Sequence, residues 1–148
     1  MAAMSSDTSP YAEMGGAAFF EALVHHFYAG VAGDPVLRAM YPEEDLAPAE
    51  RRLRMFLTQY WGGPTTYSEE RGHPRLRMRH NPFVIDETAR DRWLEHMRAA
   101  LDTTMAEQGL DPAREQELWA YLVGAAIAMV NAAPADSPTG LPTTQEPQ

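Results

Sequence analysis

The chain has 148 residues, no cysteine and a formal net charge of −9 at pH 7, with a sequence pI of about 4.9. That length supports one domain around a single core, and the missing thiols exclude disulfides, thiol catalysis and cysteine-held zinc or iron–sulfur clusters, leaving histidine and carboxylates as protein metal ligands. The acidic balance repels nucleic-acid phosphates, no apolar run approaches membrane-spanning length, and MAAMSSDTSP lacks the pattern of a signal peptide, so a cytoplasmic protein without membrane or nucleic-acid partners is expected.

Residues 1–10 read as a disordered N-terminal extension, and residues 132–148, AAPADSPTGLPTTQEPQ, as a Pro/Thr-rich tail too poor in apolar side chains to offset the entropy of ordering. Between them, residues 11–131 carry helical patterns. Gly15 and Gly16 mark a turn before a helix over residues 17–32, whose broad apolar face holds Phe20, Leu23, Val24, Phe27, Tyr28 and Val31. Asp34 as N-cap and Pro35 at the first helical position start a short turn over residues 34–40. The next helix spans residues 48–61, with Ala49, Leu53, Phe56, Leu57 and Tyr60 facing inward and Glu50, Arg51 and Arg54 facing water; Gly62 and Gly63 end it. A polar loop over residues 64–72 follows.

Residues 71–83, RGHPRLRMRHNPF, have three local readings. Arg75, Arg77 and Arg79 alternate with Leu76, Met78 and His80, as in an edge strand with one basic face. As a helical turn entered at Pro74, the same residues put Leu76 and His80 on one face and Arg75 and Arg79 on another. A basic arm for nucleic acid is the third reading, opposed by the charge of the whole chain. After Pro82, Asp86 caps a helix over residues 87–107 with Trp93, Met97, Leu101 and Met105 in an i,i+4 row, closed by Gly109. Asp111 and Pro112 open a last helix to about residue 131, presenting Leu118, Leu122, Ala125 and Met129 inward. An all-α core of two long helix pairs, with a histidine on a short helix, points to a helical sandwich around a flat ligand.

The chain resembles the group II truncated haemoglobins over residues 11–131. The resemblance rests on Gly15-Gly16, on FYAGVAGDPVLRAMYPEEDL at residues 27–46, on RLRMFLTQYWGGP at residues 52–64, on RGHPRLRMRHNPF at residues 71–83 and on Trp93 beyond them. It implies an all-α truncated globin fold, a two-over-two helical sandwich enclosing haem b. It makes His80 the proximal iron ligand; the porphyrin supplies four nitrogens, so one neutral imidazole suffices and the sixth position stays open. His73 lies outside that ligand position, and His25, His26 and His96 read as surface or structural residues.

The same resemblance places Tyr28, Tyr41 and Trp93 on the distal side, where two phenol hydroxyls and one indole N–H donate to a bound ligand. Dioxygen on ferrous haem draws negative charge outward, so such donors retain it. Residues 48–61 contain no histidine, which removes the distal histidine of ordinary oxygen carriers; Ala49 stands at the entrance and Leu53 one turn further in. The small Ala49 implies a passage for ligands somewhat larger than dioxygen, including nitric oxide, carbon monoxide, hydrogen peroxide and sulfide. Arg52 and Arg79 are placed to hold the haem propionates by charge-assisted hydrogen bonds, with Tyr67 as a further candidate. The implied function is tight oxygen binding with redox use, either peroxidase-like or as nitric oxide dioxygenation. No flavin or nicotinamide motif exists in this sequence, so sustained turnover requires an external reductase. A non-catalytic ligand sensor or oxygen-storage globin is the alternative, a helical module without haem a third; self-association as a homodimer is left open.

Overall fold

The computed structural model describes residues 9–41, 44–73 and 85–130. Among them the secondary structure is entirely helical: α1 (Pro10–Glu13), α2 (Gly16–Ala32), α3 (Pro35–Arg38), α4 (Ala47–Tyr60), α5 (Thr66–Arg71), α6 (Glu87–Gln108) and α7 (Pro112–Met129). No helix of the described residues is long and apolar enough to cross a membrane.

Local chemistry sets most of these boundaries. Ser9 Oγ accepts the Ala12 N–H at 3.2 Å, so helix already begins at Pro10, inside the expected extension. Asp86 caps α6 through Ala89 N at 2.9 Å, and Asp111 caps α7 through Ala113 N at 3.0 Å, both with the side-chain oxygen that the orphan N–H groups of a helix start require. At the far end of α6, Gly109 adopts φ 80° and its N–H returns to Met105 O, a left-handed stop that a Cβ would strain. The last helix ends at Met129, short of residue 131.

α2 is the axle of the fold. Phe19, Phe20, Leu23, Val24, Phe27, Tyr28 and Val31 are all buried, and they pack α2 against α6 on one side and α4 on the other, while α7 covers α6. Met97, Leu101, Leu118 and Leu122 complete the interior. Each such side chain removed from water contributes about 1.5–3 kcal/mol before the entropy of ordering is counted.

Two expectations are corrected. Residues 64–72 are not all loop, because α5 occupies Thr66–Arg71. It is held by the preceding helix: Gln59 of α4 accepts the Ser68 N–H at 2.9 Å and donates to Ser68 Oγ at 2.8 Å, and Tyr67 is buried with its ring edge-on to Phe56. Tyr60, expected to face inward, is 52% exposed; it stacks on Tyr121 of α7 at 4.1 Å, which covers one ring face and leaves the rest in water.

Candidate functional site

The apolar face of α2 turns Phe27 and Tyr28 toward the start of α6 and the end of α3. Phe27 is fully buried and meets two aromatic partners, Tyr28 edge-on at 4.9 Å and Trp93 at 5.2 Å and 60°. Tyr28, 6% exposed, donates from its hydroxyl to Tyr41 Oη at 3.4 Å, and the two rings meet edge-on at 5.6 Å. Tyr28, Tyr41 and Trp93 therefore come from three separate parts of the chain into one row of rings, in which Phe27 links Trp93 to Tyr28 and Tyr28 links Phe27 to Tyr41. No acceptor among the described residues pairs with the Trp93 indole N–H.

α4 brings a second wall. Ala49 is 3% exposed, and Leu53 and Phe56 pack half-buried against the core. Arg52 lines an open cleft of about 550 Å³ together with Arg51, Arg71, Glu70 and Met55. Arg51 is held there by a two-pronged pair with Glu70, at 2.8 and 2.7 Å, which keeps the Glu70 carboxyl below its ordinary pKa. Tyr67 is buried beside this cleft with the Arg71 guanidinium 5.8 Å above its ring. The expected iron ligand His80 and the expected propionate ligand Arg79 lie outside the described residues.

Three of the remaining histidines have defined partners. His25 is exposed and meets Glu50 at 3.2 Å, and His26 meets Glu107 at 3.0 Å. His96 reaches the buried carboxylate of Asp34 at 2.8 Å, where Arg92 joins it at 3.2 Å. Sequence reasoning took Asp34 only as a helix cap and missed this cluster. The i,i+4 spacing of Arg92 and His96, which puts both on one face of α6, was the available signal.

The donor set fits a haem. Hydroxyl and indole donors set among packed rings suit a small ligand that gathers negative charge, and the arginines that line the cleft suit anionic carboxylates. Among the described residues no group of three histidines or carboxylates could hold a metal ion by itself, whereas haem iron asks the protein for a single axial ligand.

Residues 9–131 match the family model of bacterial-like globins. The group 2 truncated hemoglobin YjbI of Bacillus subtilis is 41% identical over 126 residues, covering 85% of this chain and 91% of that protein. The chain belongs to the group II truncated haemoglobins. Among solved structures, the thermostable hemoglobin of the actinobacterium Thermobifida fusca superposes with a TM-score of 0.80 at 62% identity, covering 84% of this chain and 98% of that one. The truncated oxygen-avid haemoglobin of Bacillus subtilis matches with a TM-score of 0.76 at 40% identity, over 84% and 100% of the two chains. This truncated haemoglobin thus has the truncated globin fold and is a haem-binding globin, whose family binds small gaseous ligands at the haem.

Proposed function

We propose that this truncated haemoglobin binds dioxygen tightly at haem b, with His80 as the iron's protein ligand and the sixth position open, and that it uses the retained ligand in redox chemistry. The observation that carries the reading is the row of packed rings that joins Trp93, through Phe27, to Tyr28 and Tyr41. When bound, haem supplies a redox-active iron with one free coordination site. The protein's own groups do the rest. With a ligand in place, the Tyr28 hydroxyl would turn from Tyr41 toward it, and the Tyr28 and Tyr41 hydroxyls and the Trp93 indole N–H would donate hydrogen bonds to it; with peroxide the same hydroxyls would hold a proton beside its leaving oxygen. Phe27 and Leu53 keep water away, which strengthens each of those bonds. Arg52 and Arg79 hold the propionates, with Tyr67 beside them, and Ala49 leaves the entrance open.

The Bacillus subtilis relative described as oxygen-avid supports the same direction. A sensor or storage role is the second reading; turnover of peroxide or nitric oxide with an added reductase separates the two. The retention claim is tested by oxygen dissociation from the ferrous protein. With about 1 kcal/mol per hydrogen bond, Tyr28→Phe and Trp93→Phe should each speed release by roughly fivefold, and removal of all three donors by on the order of a hundredfold. Rates unchanged in every variant would remove these residues from the ligand's surroundings.

A further inference from the structure

Asp34 is the one charged side chain buried among the described residues, 5% exposed, and the oxygen pocket as read above makes no use of it. Its carboxylate joins the parts of the chain that carry the distal donors. Oδ1 accepts the N–H groups of Val36 at 2.9 Å and Leu37 at 3.3 Å, which starts α3. Oδ2 accepts from His96 Nε2 at 2.8 Å, and Arg92 Nη1 lies 3.2 Å from both oxygens. An ionised carboxylate only accepts, so Nε2 carries a proton. The other ring nitrogen stands over α2 at Gly30, so close that a Cβ there would come within 2.5 Å of it.

Arg92 and His96 bracket Trp93 on α6, and α3 leads directly into Tyr41, whose carbonyl accepts from Arg38 at 3.0 Å. The imidazole is therefore a strut between the turn of α6 that presents the indole, the turn of α2 that follows Tyr28, and the start of α3. We propose that the Asp34–His96 pair, reinforced by Arg92, is the positioning device of the distal donor set. It sets where the Trp93 indole N–H stands relative to the Tyr28 and Tyr41 hydroxyls, and so how long a diatomic ligand of the dioxygen class is retained. The inference rests on the reading of Trp93 as a ligand donor and extends it to residues that never touch the ligand.

The test uses the full haem-loaded chain in its carbonyl form, comparing His96→Ala, His96→Gln, Arg92→Gln and Trp93→Phe with the parent. The readouts are the carbon monoxide stretching frequency, the oxygen dissociation rate and the indole ¹⁵N–¹H signal of Trp93, identified by its loss in Trp93→Phe. His96→Ala should shift or split the stretching band, move the indole signal and speed release by roughly fivefold, the effect of one weakened hydrogen bond. His96→Gln, whose amide nitrogen reaches Asp34 from the same position, should restore most of the parent behaviour, and Arg92→Gln should act in the same direction as His96→Ala but less. Trp93→Phe altering band and rate while His96→Ala leaves all readouts at parent values would overturn the proposal. Equal displacement by His96→Ala and His96→Gln would overturn it too. Should Trp93→Phe itself change neither band nor rate, the reading of Trp93 as a donor falls and takes the inference with it.

Discussion

A methyl group at Gly30 would lie 2.5 Å from His96 Nδ1 and 3.2 Å from its Cγ, so the imidazole would have to leave its place against α2. Gly30→Ala is expected to lower stability by about 1–3 kcal/mol in urea unfolding, the range for overpacking a filled site. In a His96→Ala background most of that loss should vanish, because the clashing ring is gone; an equal loss in both backgrounds would show that the contact is not its cause. At this scale the sequence was legible where a motif carried the information. Tyr28, Tyr41 and Trp93 were singled out by resemblance, since aromatic residues at helical spacing otherwise read as packing. Their joining into one row of rings with Phe27 could not be read from periodicity, because the three rings arrive from separate helices and turns. The Asp34–His96 bond joins residues 62 positions apart, beyond the reach of any local pattern.

The short helix α3 depends on its cap, and the cap is ionised well into acid. The hydrogen bond from His96 holds the Asp34 carboxyl at about 2, below its ordinary 3.8; burial pushes the other way, and hydrogen bonds from Leu37, Arg92 and Val36 add to the lowering. A carboxyl depressed in the folded state adds stability that is complete above its ordinary value and disappears as pH falls toward the depressed one. Thermal unfolding should therefore show the parent losing stability more steeply between about pH 4 and 2 than Asp34→Asn, which has no such proton to take up. Parallel acid limbs would contradict the assignment. Helix boundaries were legible because caps and stops are local: Asp34, Asp86, Asp111 and Gly109 stand where expected. α5 was not, since Gln59 and Phe56 of the preceding helix hold Ser68 and Tyr67 in place. Tyr60 was misplaced for a related reason, its partner being Tyr121 of another helix and not the interior.

Across the whole molecule the sequence has no lysine, and arginine supplies every strong cation. Its guanidinium fork suits paired contacts. Arg51 binds Glu70 between α4 and α5, Arg98 binds Glu115 between α6 and α7, and Arg114 of α7 binds Glu13 of α1. These exposed or half-buried pairs contribute little stability individually and mainly fix how neighbouring helices sit on one another. The core around α2 supplies the stability; the all-α class was readable from the helical patterns along residues 11–131, and the truncated globin arrangement from the resemblance. The haem was not readable from the helical patterns. Periodicity predicts a packed helical core, and only the motifs, with the family match over residues 9–131, turn that core into a cofactor site.

The central claim is that this chain holds haem through His80 with the opposite coordination position open. The measurement that tests it most directly is the absorption spectrum of the haem-loaded protein in ferric, reduced, carbonyl and oxygenated forms, recorded beside His80→Ala. The account predicts the spectra of a globin that takes up one axial ligand from the protein and binds carbon monoxide and dioxygen, with those spectra lost or changed in the variant. A protein that forms no stable haem complex, or one whose spectra are identical in His80→Ala, would contradict it.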